Sequence, residues 1–189
     1  GVEILSYIKK KKGSYFTKRG WHLVGIETPI LIAPNPRFKD ILYMGFLDIV
    51  MYHEPTNTFK IIDIKTSTKG WNSYAKNDEE KQYQLILYKK YFAEQFGVPE
   101  KDISVEFFIV RRKVYTEGDY PQKPVQEFSP PSGKIKMGRA TKALNEFIET
   151  CFVGNTYTEE EMEPRASKWN CTFCPFKDNK KLCGLGINL

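Results

Sequence analysis

Along the first third of the chain the spacing of apolar residues changes from helical to strand-like. Val2, Leu5 and Ile8 recur at helical intervals and run into Lys9 to Lys12, which predicts a short helix with a basic end. From Trp21 to Ala33, WHLVGIETPILIA is rich in β-branched and aromatic residues and precedes the turn residues NPRFKD, so a strand is expected. Two further strands, Ile41 to Tyr52 and Phe59 to Lys65, flank the turn HEPTNT, and the three read as an antiparallel meander. The loop TSTKGWNS then leads to a helix over about Asp78 to Gln95, which Gly97 and Pro99 end.

Ile103 to Tyr115 predicts a fourth strand, and the proline-rich stretch Tyr120 to Pro131 a connection with room for one short edge strand. In a second long helix, from about Ile135 to Phe152, Ala140, Leu144, Phe147, Ile148 and Cys151 share one face, which is expected to be core. The final residues, from Glu163 on, hold too few apolar positions for regular structure, and their cysteines are the candidates for holding them. The expected fold class is therefore α/β (α+β), with helices flanking a central sheet. It forms one domain, with a core over residues 1–165 and a cysteine-bearing C-terminal tail over 166–189 packed on it. A helix placed at the first residues suggests that the natural chain begins further upstream.

Composition narrows this picture in two ways. With 189 residues, 41% of them hydrophobic, the chain can fill one core but not two ordinary ones. No stretch approaches the roughly 20 apolar residues of a membrane span and no signal peptide opens the chain, so a cytoplasmic protein is expected. The net charge of +6 favours a polyanionic partner.

Candidate chemistry concentrates in the third strand. Asp63 and Lys65 are two residues apart and emerge on one face, while Ile62 and Ile64 point to the other. Asp48 lies near the end of the neighbouring strand, and a hairpin through HEPTNT can bring it towards Asp63. Two carboxylates placed together are costly unless a cation sits between them, and hard oxygen ligands suit Mg²⁺ or Mn²⁺. Lys65 then stands beside the metal, where an ammonium can orient a water and offset charge on a phosphoryl group. Taken alone, D-x-K also describes an ordinary strand with one wet face.

The order of the surrounding motifs goes further. Gly45-Phe-Leu-Asp48 ends a strand, Asp63-Ile-Lys65 follows across the hairpin, and Gln84-Leu-Ile-Leu-Tyr88 falls on the next helix, where i and i+4 share a face. In this the chain resembles the PD-(D/E)XK nuclease superfamily, in particular its RecB-type exonuclease branch, over about Trp21 to Tyr115. The resemblance implies a restriction-endonuclease-like core with a mixed central sheet. It also implies a metal-dependent deoxyribonuclease, an exonuclease of replication, recombination or repair, in the cytoplasm of a bacterium or of a phage's host. Asp48, Asp63 and the Ile64 carbonyl become metal ligands, Lys65 serves the nucleophilic water, and Gln84 and Tyr88 hold the nucleic-acid strand or the lysine. A helix face packed on the sheet explains Gln84 and Tyr88 equally. Glu27, where family members often carry a glutamate, is a further metal candidate. The branch usually has another ligand, often a histidine, on an upstream helix; His22 and His53 fall in the first strand and at a turn instead.

Cys171 and Cys174 form C-x₂-C, and Cys183 follows in a polar, core-poor tail, a pattern of metal ligands rather than buried hydrophobes. RecB-type nucleases can hold an iron–sulfur cluster with three such cysteines plus one upstream. Here a 4Fe–4S cluster, a Zn²⁺ site and a metal-free tail all remain open. Around the carboxylates, Lys69, Trp71, Arg111, Arg112 and Lys113 interleave charge with an aromatic, as a path for single-stranded DNA or DNA ends does. A solvated basic sheet edge gives the same pattern. The rival to the enzyme is a catalytically inactive nucleic-acid-binding module with a metal-stapled tail.

Overall fold

The computed structural model describes residues 1–115, 117, 121–154, 156–158, 167–177 and 179–183. Its contacts divide the chain into two compact units, Gly1–Glu146 and Phe147–Leu189.

The first unit opens with α1, Val2–Tyr15, and continues into β1, Trp21–Ile32, β2, Tyr43–His53, and β3, Thr58–Ser67. Two helices follow, α2, Ser73–Asn77, and α3, Glu79–Phe96; then come β4, Ile103–Arg111, β5, Val125–Phe128, and α4, Lys134–Cys151, whose last residues belong to the second unit. The five strands form one sheet in the order β1-β2-β3-β4-β5. β1, β2 and β3 pair antiparallel, as the meander predicts; β4 runs parallel to β3, and β5 antiparallel to β4. The sheet is thus mixed, with helices on both sides. Two parallel strands need a crossover, and α3 supplies it.

α3 forms where the sequence places it because both ends are capped. The Asp78 side chain accepts from the Lys81 amide, and Gly97 takes a left-handed conformation, with φ 65°, at the other end. The helix presents Leu85, Ile86 and Tyr91, all essentially buried, to a sheet face bearing Ile30, Leu47, Val50, Ile61, Phe107 and Ile109. α4 adds Met137 and Ala140, and its Arg139 and Lys136 meet Glu79 in the first turn of α3. The opposite face carries a smaller cluster of Met51, Ile62, Phe108 and Val125, against which Tyr7, Ile8, Tyr15 and Phe16 of the N-terminal segment pack.

In the second unit the described elements are short: β6, Phe152–Val153, pairs with β7, Thr156–Tyr157, and α5, Lys168–Cys171, and α6, Lys180–Cys183, follow. Ile148 and Cys151 are buried as the helical pattern of α4 expects, but Phe147 is 60% exposed. A shared helical face says which side chains line up, not whether a cover extends along the whole face. No helix among the described residues is long and apolar enough to cross a membrane.

Candidate active site

The site forms where two strands stop pairing. β2 and β3 pair from His53↔Thr58 up to Ile49↔Ile62, and there their ladder ends. Beyond that point β2 continues beside β1 as far as Tyr43↔Ile32, while β3 continues beside β4 to Ser67↔Arg111. Asp48 and Asp63 are therefore the first residues on the two arms of a fork. The fork leaves the Ile64 amide without a strand partner on β2, and the Asp48 carboxylate takes that place: Ile64 N–H donates to Asp48 Oδ2 at 2.6 Å.

Asp63 is only 3% exposed. Burial pushes its carboxyl above the usual carboxylate range, the neighbouring Lys65 ammonium opposes that shift, and the Asp48 charge adds to it. Lys65 Nζ lies 2.9 Å from Asp63 Oδ2, an ion pair whose alignment falls short of a hydrogen bond, so that this buried oxygen has no hydrogen-bond partner. The same ammonium donates to Gln84 Oε1 at 2.8 Å, and Gln84 Nε2 donates to the Tyr88 hydroxyl at 3.0 Å. One polar chain thus runs from β3 to α3 through Asp63, Lys65, Gln84 and Tyr88.

Gly45 explains how Tyr88 fits. A Cβ at this position would stand 2.6 Å from Tyr88 Cε1, so the ring packs against β2 only because residue 45 has no side chain. The spacing from Gly45 to Asp48 then brings the polar chain and the fork into one place.

Glu27 lies between the pairs Ile26↔Ile49 and Thr28↔Leu47, opposite Asp48 on β1. Its φ of 49° is left-handed, a conformation that costs a non-glycine residue roughly 1 kcal/mol or more and that often marks functional positions. It is exposed, and it lines a cavity together with Asp48.

The basic candidates separate into two kinds. Lys69 is exposed in the loop after β3, and Arg112 and Lys113 are exposed beyond the end of β4, Arg112 donating to Thr68 Oγ1 at 3.0 Å. Arg111 folds back to donate to the Lys123 carbonyl at 2.6 Å, with its Nε against Gly70, where a Cβ would meet it at 2.6 Å. Trp71 is half-buried, 4.8 Å from the Phe107 ring and 6.3 Å from Phe128. The Gln126 amide brackets the Trp71 backbone, accepting from its N–H at 2.8 Å and donating to its carbonyl at 3.0 Å. Sequence spacing could not signal that Gln126 would brace the loop after β3, because the two segments meet only through the β4–β5 pairing.

Both histidines sit at the far end of the β1–β2 ladder. His22 Nε2 is 3.3 Å from Glu54 Oε2, and His53 Nδ1 is 2.6 Å from Thr56 Oγ1. In the second unit Cys171, Cys174 and Cys183 are half-buried free thiols. Among the described residues no group of three or more His, Cys, Asp or Glu side chains is gathered as a metal site. At the fork, a buried carboxylate oxygen without a hydrogen bond, beside a second carboxylate, is the donor chemistry that suits a hard divalent cation.

A family model described as the PD-(D/E)XK nuclease superfamily matches residues 5–179. Among solved structures, the crystal structure of SSO0001 is similar, with 16% identity and a TM-score of 0.41 over 93% of this chain, which spans 65% of that one. No curated protein matches the chain.

Proposed function

The chain belongs to the PD-(D/E)XK nuclease superfamily, which implies a nuclease-type function and a nucleic-acid substrate, and from that premise we propose a Mg²⁺- or Mn²⁺-dependent deoxyribonuclease of the RecB type, an exonuclease acting in replication, recombination or repair. One observation carries the reading: Lys65 is held between Asp63 and Gln84 at a fork whose other arm presents Asp48. An ordinary wet strand face needs no such arrangement, and it would not bury an aspartate.

In this reading Asp48, Asp63 and the Ile64 carbonyl would hold the divalent cation, with Glu27 as a further ligand. A cation held there would offset the negative charge that builds on the phosphoryl oxygens in the transition state. Water attacks phosphorus, the bond to the leaving sugar oxygen breaks, the water gives up a proton and the leaving oxygen gains one. Lys65 orients the water and adds positive charge at the reacting phosphate. Gln84 and Tyr88 position Lys65 rather than react, and Lys69, Arg112 and Lys113 follow the strand backbone.

The test is a metal titration with single-stranded and double-stranded DNA. Cleavage that requires Mg²⁺ or Mn²⁺ and falls by about a thousandfold or more in Asp63→Ala and Lys65→Ala supports the enzyme. Salt-dependent binding with no cleavage sinks it in favour of a binding module. Degradation from ends, with circular DNA spared, decides the exonuclease assignment. For Cys171, Cys174 and Cys183 the C-x₂-C spacing is what supports a 4Fe–4S cluster or Zn²⁺. Elemental analysis and a visible spectrum of anaerobically purified protein separate the two from a metal-free tail.

A further inference from the structure

A cavity of about 610 Å³ opens on the α1 face of the sheet and shares Asp48 and Ile64 with the fork. Phe16, Leu23, Ile26 and Ile64 form its apolar walls, and Lys12, Thr17, Glu27 and Asp48 bring polar groups to it. Leu23, Ile26 and Ile64 are 54%, 65% and 41% exposed, so apolar surface faces solvent directly beside a charged site. Isolated exposed apolar residues need no explanation, but a contiguous concave group of them marks a binding surface.

We propose that this cavity is the subsite for the unstacked nucleobase next to the scissile phosphodiester, with Phe16 and the β1 wall against the base and Lys12 and Thr17 meeting the adjoining phosphate. The inference rests on the nuclease reading of the fork and adds to it a requirement for unpaired substrate. Asp48 and Ile64 both line the cavity, so a strand whose phosphate reaches Asp48 has its neighbouring nucleotide within reach of it. Bases are the parts of a nucleic acid with large apolar faces, and an aromatic ring such as Phe16 accepts any of them by stacking. Lys12 complements the backbone charge. The volume accommodates a base with its sugar, whereas a base still paired in a duplex presents only an edge and cannot enter. The site therefore selects single strands or frayed ends.

The experiment uses the Asp63→Asn chain in excess EDTA, where cleavage is off and a buried charge that repels phosphate is gone. Labelled single-stranded oligodeoxynucleotides, each with one abasic nucleotide at a successive position, are bound and followed by fluorescence anisotropy; the unsubstituted chain is assayed for cleavage on the same strands in Mg²⁺. Loss of the base at one position is expected to weaken binding by about tenfold, with little effect elsewhere. Adding Phe16→Ala should weaken binding of the intact strand by about tenfold, and adding Ile26→Ser by about threefold, while the abasic strand is unaffected by either. Ile26 is largely exposed, so its substitution tests the wall without challenging the fold. Equal binding of intact and abasic strands at every position, or variants that weaken both alike, overturns the subsite and leaves the nuclease reading standing. Absence of both binding and cleavage overturns the nuclease reading and the subsite with it.

Discussion

The two faces of the central sheet are built differently. On the α3 face, Leu85, Ile86 and Tyr91 are sealed against Leu47, Ile61 and Phe107, and the polar chain from Asp63 to Tyr88 lies on that packed ground. On the α1 face no residue of α1 is fully buried, the cluster is smaller, and a cavity takes the place that side chains would fill. Reacting groups gain from a backing that locks their rotamers, since small displacements are costly in rate, whereas a face that must admit a substrate needs unfilled volume. The fork joins the two because Asp48 and Ile64 belong to both.

Truncating the two faces should break or uphold that contrast most directly. Leu85→Ala is expected to cost about 2–5 kcal/mol in urea unfolding, because the site is closed and cannot collapse. A smaller effect on stability and a larger one on activity is expected for Gly45→Ala, where the new methyl displaces the Tyr88 ring. Overpacking of this kind costs about 1–3 kcal/mol, and cleavage should fall by more than that loss explains, because Gln84 and Lys65 move with the tyrosine. Equal losses in the two measurements would detach Tyr88 from the polar chain.

Asp63→Asn should raise the melting temperature by a few degrees in EDTA at neutral pH while abolishing cleavage. The sign follows from burial: the folded state holds the Asp63 carboxyl above its unfolded value, so ionisation costs the fold stability at every pH above that raised value. As pH falls through it the native aspartate protonates, the cost disappears, and the advantage of asparagine should shrink. An advantage that grows on acidification would show that the Lys65 pair, not burial, governs the group. Smallest of all, Leu23→Ala on the open face should stay within about 0.5 kcal/mol of the parent in the same unfolding assay.

Much of this was legible in the chain. The spans of β1, β2, β3 and α3 follow from apolar period and end signals, and Asp48, Asp63 and Lys65 are brought to one fork as their spacing suggests. Other features depended on information the pattern does not carry. α2 was hidden in a loop because a five-residue helix has too little periodicity to register, although Asn72, which caps it by accepting from Ala75 N–H at 2.9 Å, is a readable sign. β4 ends at Arg111 rather than at Tyr115, yet Arg112 and Lys113 still donate to the carbonyls of Ser67 and Thr68, so the strand-like run continues as backbone contact without a ladder. Trp71 reads as a free aromatic among charges, and only the β4–β5 pairing reveals Gln126 fastening it. The cavity was invisible for a similar reason: its walls come from the end of α1 and the residues after it, from β1, β2 and β3, and the meeting of such distant segments leaves no periodic trace.

The fork has one more consequence. Every side chain of the polar chain, the carboxylate that replaces a ladder bond and the glycine that admits the tyrosine ring come from one uninterrupted stretch, Gly45 to Tyr88. The groups assigned to the reaction, Glu27 apart, are thus encoded in one continuous run of hairpin and helix. On the nuclease reading, the chemistry is local in sequence, while the grip on the strand draws on Lys12 and Phe16 before that stretch and on Arg112 and Lys113 after it.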